Sequence, residues 1–170
     1  MSDLELMRRE KNDYFKHDPY SPISPEQRKT FQGLRYYPEN PALRLVTTIA
    51  EYPDKPRVTM ATSTGEVRPY LKYGQFTFEV NGASAALQVY QDTEQAYFFL
   101  PFVDATAGEE TYESGRYLEI EPAGGGKFLI DFNMAYNPYC AYSPQWSCPI
   151  PPKENRLSVK IEAGEKKYHE

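Results

Sequence analysis

The sequence predicts a mainly β domain, an antiparallel barrel or bent sandwich of about eight strands with one N-terminal helix packed outside. Three observations carry that expectation. Fifteen Tyr and nine Phe add large apolar side chains that strands favour. Fifteen Pro disfavour an all-helical chain. From Pro41 onward the apolar residues alternate with a period of two, and tight-turn residues separate the runs. At 170 residues the chain has the size of one domain, with a helical segment over 1–31 and a β domain over 35–168.

Ser2 followed by Glu5 is a capping box, and Leu4, Met7 and residues 11–15 continue an amphipathic helix. Three prolines within 17–25 end it. Ser24-Pro25-Glu26-Gln27 starts a second, short helix that stops near Phe31, before Gly33. Strands are expected over 43–51, 57–63, 67–73, 75–80, 96–102, 116–121, 127–133 and 156–162. Asn81-Gly82 is a hairpin turn, with Leu87 and Val89 on the return strand. Thr64-Gly65, Tyr73-Gly74 and Gly124-Gly125-Gly126 read as further turns. The glycine turn pairs 116–121 with 127–133, setting Glu121 opposite Lys127, Tyr117 opposite Asp131, and Leu118 opposite Ile130. On that register the loops 103–115 and 134–155 emerge at one end of the sheet, where a β scaffold keeps its function.

The net charge is −5, with Lys and Arg scattered among acids, which argues against a nucleic-acid partner. No run approaches the roughly 18 apolar residues of a membrane span. The acidic start Met1-Ser2-Asp3-Leu4-Glu5 lacks the order of a secretory signal. A soluble, cytoplasmic chain is therefore expected, with Cys140 and Cys148 as reduced thiols. In an oxidising compartment the same two would close a short loop.

At the expected rim, Asp104, Glu110, Arg116, Asn133 and Asn137 form a polar group fenced by Tyr112, Tyr136 and Tyr142. Arg116 shares a face with Leu118, so its guanidinium points toward the interior and needs partners there. It either grips an anionic ligand or pins the 103–115 loop through Asp104 or Glu110, the stronger of the two readings. Cys140 and Cys148 have only His17 and His169 as companions, too remote for a thiol–imidazole pair or a zinc site, so they are expected to be buried packing residues. Neither a metal nor a cofactor is expected, since no phosphate loop, dinucleotide fingerprint or serine elbow is present. Tyr139, Tyr142 and Trp146 with Pro149, Pro151 and Pro152 form either a platform for a sugar or peptide or a lid on the barrel end. Asp104, Glu109, Glu110, Glu113 and Asp131 are numerous enough for acid–base work, although Asp131 should face outward.

Several blocks read together are more specific. They are Leu100-Pro101-Phe102, Glu110-Thr111-Tyr112 and Gly115-Arg116-Tyr117-Leu118, then Asp131-Phe132-Asn133 and Ala135-Tyr136-Asn137-Pro138-Tyr139-Cys140-Ala141-Tyr142. Cys148-Pro149-Ile150-Pro151-Pro152, Glu154-Asn155-Arg156-Leu157 and Ala163-Gly164-Glu165-Lys166 complete them. From Phe31 to Lys166 the chain resembles DUF1684, a prokaryotic family of unknown function. That resemblance implies kinship and brings no activity, substrate or cofactor. The leading expectation is a small-molecule binder, an anion among the candidate ligands, with its pocket at the rim around Arg116 and the tyrosines. A cofactor-independent hydrolase or lyase using rim carboxylates is the second, and a protein-interaction module using the aromatic–proline cap is the third.

Overall fold

In the computed structural model, which describes residues 1–169, two antiparallel sheets pack face to face and a short helical segment straps one side. Helix α1 (Asp3–His17) starts at Ser2, whose hydroxyl accepts from the Glu5 amide at 3.1 Å while Glu5 Oε2 accepts from the Ser2 amide at 3.0 Å. Helix α2 (Pro25–Thr30) starts at Ser24 with the same reciprocal pairing to Gln27. Both starts follow from residues within one turn of each other, so local sequence suffices to place them.

The larger sheet holds β2 (Ala50–Glu51), β3 (Arg57–Ala61), β4 (Val67–Val80), β5 (Ala83–Asp92), β6 (Phe98–Phe102) and β7 (Arg116–Leu118). Its order is β2-β4-β5-β6-β7, with β3 also on β4. The smaller sheet is β1 (Arg44–Thr47), β9 (Lys127–Asp131) and β8 (Glu121–Gly124), in the order β1-β9-β8. Both sheets keep open edges, so the architecture is a sandwich and not a closed barrel. The Asn81-Gly82 hairpin forms as expected, with φ of 50° and 83° and Val80 opposite Ala83.

Four expectations are corrected. The run 43–51 divides at a corner: β1 joins the small sheet and β2 the large one, with buried Ile49 turned into the core between them. Tyr73-Gly74 is not a turn but a bulge inside the single strand β4, where the register slips between Lys72 and Gly74. Glycine is needed there because β2 crosses so closely that a Cβ would stand 2.5 Å from the Ala50 carbonyl. The segment 156–162 is extended but has no ladder of its own. It lies beside 103–105 through Leu157 N to Val103 O at 2.7 Å and Ala105 N to Val159 O at 2.8 Å.

The fourth correction concerns the glycine hairpin. β7 pairs with β6, Arg116 opposite Phe102, and of the run 116–121 only its end, where β8 begins, pairs with β9, Glu121 opposite Leu129. The turn holds only residues 125 and 126, where the expected register leaves 122–126, and Gly124, Gly125 and Gly126 all adopt the positive φ that so tight a turn needs. Leu118 and Ile130 still meet in the core, but Tyr117 is buried and Asp131 stands opposite Arg44. The two long loops nevertheless meet. After β9 the chain turns back at Phe132–Met134, and Tyr136 bridges Tyr117 through two backbone hydrogen bonds of 2.8 and 2.9 Å.

Alternation along β6 and β7 sorts the aromatics into layers. Leu100, Phe102 and Leu118 face the small sheet and join Phe76, Phe78, Leu87 and Phe132 in the main core. Phe99 and Tyr117 face the opposite way, into a second cluster with Tyr70, Met60 and Cys148, roofed by the chain around 136–149. A third cluster, Phe15, Ile23, Phe31, Leu34 and Tyr142, docks the helical segment onto that roof. Gly115 holds the junction: its φ is +97°, and a Cβ there would fall on the Phe102 carbonyl and 2.8 Å from Val103 Cγ2. Gly115→Ala should therefore lower unfolding stability by at least about 2 kcal/mol in urea titration, the cost of a left-handed alanine plus a backbone clash.

Candidate functional site

Arg116 does point inward, and no part of it reaches solvent. Its Nη1 donates to the Ala163 carbonyl at 2.5 Å and the Glu165 carbonyl at 3.2 Å. Nη2 donates to the Ile161 carbonyl at 2.9 Å and to Asp104 Oδ1 at 3.4 Å. Asp104 Oδ2 in turn accepts from the Ile161 amide at 2.6 Å and the Thr106 hydroxyl at 2.8 Å. The guanidinium is thus spent on protein groups. It ties the 103–115 loop to the C-terminal segment through Asp104, while Glu110 stands exposed, 4.0 Å from Lys166 Nζ.

A second buried node is Glu165, which carries no exposed surface. Lys11 Nζ lies 2.8 Å from Glu165 Oε2, the Tyr142 hydroxyl donates to Oε1, and Asn137 Nδ2 donates to Oε1 at 3.3 Å. Burial, then the adjacent carboxylate, push the Tyr142 phenol well above its ordinary range. Asn133 lies apart, bonded to both backbone groups of Asn40 at 2.8 and 2.9 Å. Sequence reasoning gives Glu165 a place in a family block but no site role, because its ion-pair partner is 154 positions away.

The cleft lies elsewhere. Between α1, the outer face of β4, β6 and β7, and the roof at 136–149 there is a cavity of about 620 Å³. Its floor is aromatic: Tyr70 stacks on Phe99 at 5.4 Å, and Phe99 meets Tyr117 edge-on at 4.8 Å. Tyr14 from α1, Tyr97 ahead of β6 and Tyr139 from the roof stand around it, each exposed to solvent. Tyr139 packs on Trp146 at 5.3 Å, and Trp146 Nε1 donates to the Pro22 carbonyl at 3.1 Å. Charge enters at three points. Arg68 donates to the Ser147 carbonyl at 2.7 Å, Glu119 accepts from the Tyr136 hydroxyl at 3.3 Å, and Lys11 stands 5.3 Å from the Tyr136 ring. Burial raises the phenols of Tyr117 and Tyr136, and pushes Tyr70 up to about 12, so they remain neutral donors through the physiological range.

Of the eight residues expected at the rim, Tyr136 and Asn137 line this cleft. Tyr112 and Tyr142 line a second opening of about 380 Å³, on whose wall Cys140 and His169 also stand. Cys148 is buried as expected, whereas Cys140 is only half-buried. Cys148 Sγ accepts from the Cys140 amide at 3.3 Å, and the Tyr112 hydroxyl lies 3.7 Å from Cys140 Sγ. The hydrogen bond from Cys148, and then that from Tyr112, bring the Cys140 thiol down to about 6 against the opposing effect of burial. Among the described residues no His, Cys, Asp and Glu side chains gather in a group of three or more suited to a metal. No helix among them is long and apolar enough to cross a membrane.

Fold and cleft together define a two-sheet antiparallel β protein with a helical strap and an aromatic-floored cleft on its outer face. The chain belongs to the family described as protein of unknown function (DUF1684), whose model matches residues 29–166. It is similar to an uncharacterized protein of Haloarcula marismortui solved by solution NMR, at 37% identity. That likeness covers 96% of this chain and 91% of the other, with a TM-score of 0.73. No curated protein matches the chain. Because Arg116 is buried among three carbonyls and a carboxylate, Arg116→Ala should cost about 3–5 kcal/mol of unfolding free energy by leaving Asp104 buried and unpaired. Arg116→Lys should recover only part of it, since an ammonium lacks the planar fork that serves both sides.

Proposed function

We propose that this protein binds a small, ring-bearing organic molecule in the aromatic cleft, with an anionic group on the ligand placed toward Arg68. One observation carries the reading. Four aromatic side chains are exposed among the described residues, Tyr14, Tyr20, Tyr97 and Tyr139, and three of them stand around this one cavity. Exposed rings gathered on a concave, aromatic-floored surface offer stacking area that water alone does not reward. The volume of about 620 Å³ falls in the range that takes a metabolite-sized ligand.

The polar groups suit recognition. Arg68 is exposed at the mouth with one Nη committed to Ser147, and a guanidinium's planar fork fits a carboxylate or phosphate. Lys11 is held by Glu165, so its charge is largely answered within the protein. The neutral phenols of Tyr117 and Tyr136 are already committed, to the Pro149 carbonyl and to Glu119. The leading expectation thus moves in position: its ligand sits against Tyr136 and Asn137 and not on Arg116, whose Nη1 and Nη2 are held by protein acceptors and whose side chain is closed off from solvent.

A thermal-shift screen of aromatic acids, nucleosides and sugars, followed by calorimetric titration, tests this. At least one ring-bearing acid should raise the melting temperature of the wild type by mass action. Tyr97→Ala and Tyr139→Ala, both at exposed positions, should fold normally and weaken that ligand by roughly 2- to 10-fold each, the value of one lost stacking contact. Arg68→Ala should weaken a carboxylated ligand more than its neutral amide. If no compound shifts the wild type, or if the three variants bind as tightly as it does, the cleft is not the binding site.

A further inference from the structure

We propose that Cys140 and Cys148 form a redox-active dithiol, Cys140 attacking and Cys148 resolving, that closes to an intrachain disulfide by exchange with small disulfides. The two residues are in direct contact: the Cys140 amide donates to Cys148 Sγ at 3.3 Å. A disulfide needs its α-carbons about 4.4–6.8 Å apart, and a Cys148 sulfur 3.3 Å from the Cys140 amide sets the two residues side by side. Only residues 141–147 separate them, with Pro144 and Gln145 exposed at the tip, so the chain between them has room to adjust.

Access divides the roles. Cys140 is half-buried on the wall of the second opening, whose volume of about 380 Å³ admits a small disulfide. Cys148 is 7% exposed, under the aromatic cleft and against Tyr117 and Met60. Polarity divides them the same way. The Cys148 thiol and the Tyr112 hydroxyl both donate toward Cys140 and bring it down to about 6, whereas the same pairing pushes Cys148 up. The other titratable groups facing the pair are Tyr117 from β7 and Arg68 from β4, with Glu113, Lys167 and His169 around the opening.

The exchange balances. The Cys140 thiolate bonds to one sulfur of a disulfide RSSR, whose S–S bond breaks and releases RS⁻. Cys148 then loses its proton and attacks the Cys140 sulfur, releasing the second RS⁻. The two cysteine protons end on the two released thiols, so one small disulfide is reduced and one dithiol oxidised.

The test equilibrates the full chain with excess glutathione disulfide, alkylates remaining thiols and maps the digest by mass spectrometry. The wild type should lose both free thiols to a Cys140–Cys148 link. Cys148→Ser should carry one glutathione, on Cys140, and Cys140→Ser should carry none. Should Cys148→Ser fail to fold by circular dichroism, Cys148→Ala repeats the trap, and the wild-type map stands without either. The alkylation rate of Cys140 in Cys148→Ser should fall as pH drops through its thiol's inflection. In the wild type that inflection should lie near 6, since the thiolate persists above it, and removing Cys148 should move it upward. Two free thiols in the folded wild type after equilibration, or a mixed disulfide on Cys148 instead of Cys140, overturns the proposal.

Discussion

A guanidinium wholly out of water costs several kcal/mol unless it is paired, and the middle of this fold is arranged around engaging both terminal nitrogens of Arg116, while its buried Nε is left without a partner. The residue lies on β7, the last strand of the large sheet, yet its partners are carbonyls of 161, 163 and 165 near the other end of the chain. Asp104 supplies the countercharge and also accepts from the Ile161 amide. The clamp thereby continues over 161–165 the hold that backbone bonds from 103–105 begin at Leu157 and Val159. Burial lowers the basicity of the guanidinium, and Asp104 offsets that, so charge and countercharge are buried as a unit.

The consequences run outward from this clamp. Once 161–165 is fixed, Glu165 is delivered to the position where Lys11, Asn137 and Tyr142 converge. That brings α1 against the roof, and Phe15 packs edge-on against Tyr142 at 4.9 Å. Lys11, held by this polar node, lines the aromatic cleft together with Tyr14 and Phe15 of the same helix. Helix α1 precedes residue 29, where the family match begins, so one wall of the cleft lies outside the matched segment.

How much of this is legible in the sequence depends on the range of each interaction. Capping boxes at Ser2 and Ser24 and the Asn81-Gly82 turn are decided by residues three apart or fewer, and all formed as read. The inward aim of Arg116 was also legible, from its parity with Leu118. Three consecutive glycines, by contrast, permit several turn geometries, so charge matching of Glu121 with Lys127 was an insufficient guide to register. Gly74 could be a turn or a close approach, and only the crossing of β2 decides. The rim tyrosines were found, but alternation along β6 and β7 sends Phe99 and Tyr117 to a face that a hairpin with β9 would have left exposed. The pocket is thus expected at the rim from the sequence, whereas the aromatic cleft opens on the outer face of the large sheet.

The roof joins the two proposed activities in one piece of chain. Its ends are fixed, by the Tyr136–Tyr117 bridge and by the Ile150 amide on the Ala61 carbonyl at 2.8 Å. Its middle is tied mainly by side chains, Gln27 to the Tyr142 carbonyl at 3.1 Å and Trp146 to Pro22. Tyr139 faces the aromatic cleft, its neighbour Cys140 the second opening, and Cys148 lies beneath the first. Linking the two sulfurs would draw together the segments that carry Tyr139 and Trp146, the two rings that pack on each other beside the ligand space. Fixed ends and a side-chain-tethered middle make this segment the part of the sandwich most able to move without unfolding it. A change of bonding at the cysteines would thus be felt first in the shape of the cleft, and would reach the Arg116 clamp through Glu165, whose carboxylate holds Asn137 and Tyr142 of the roof and whose carbonyl accepts from Arg116.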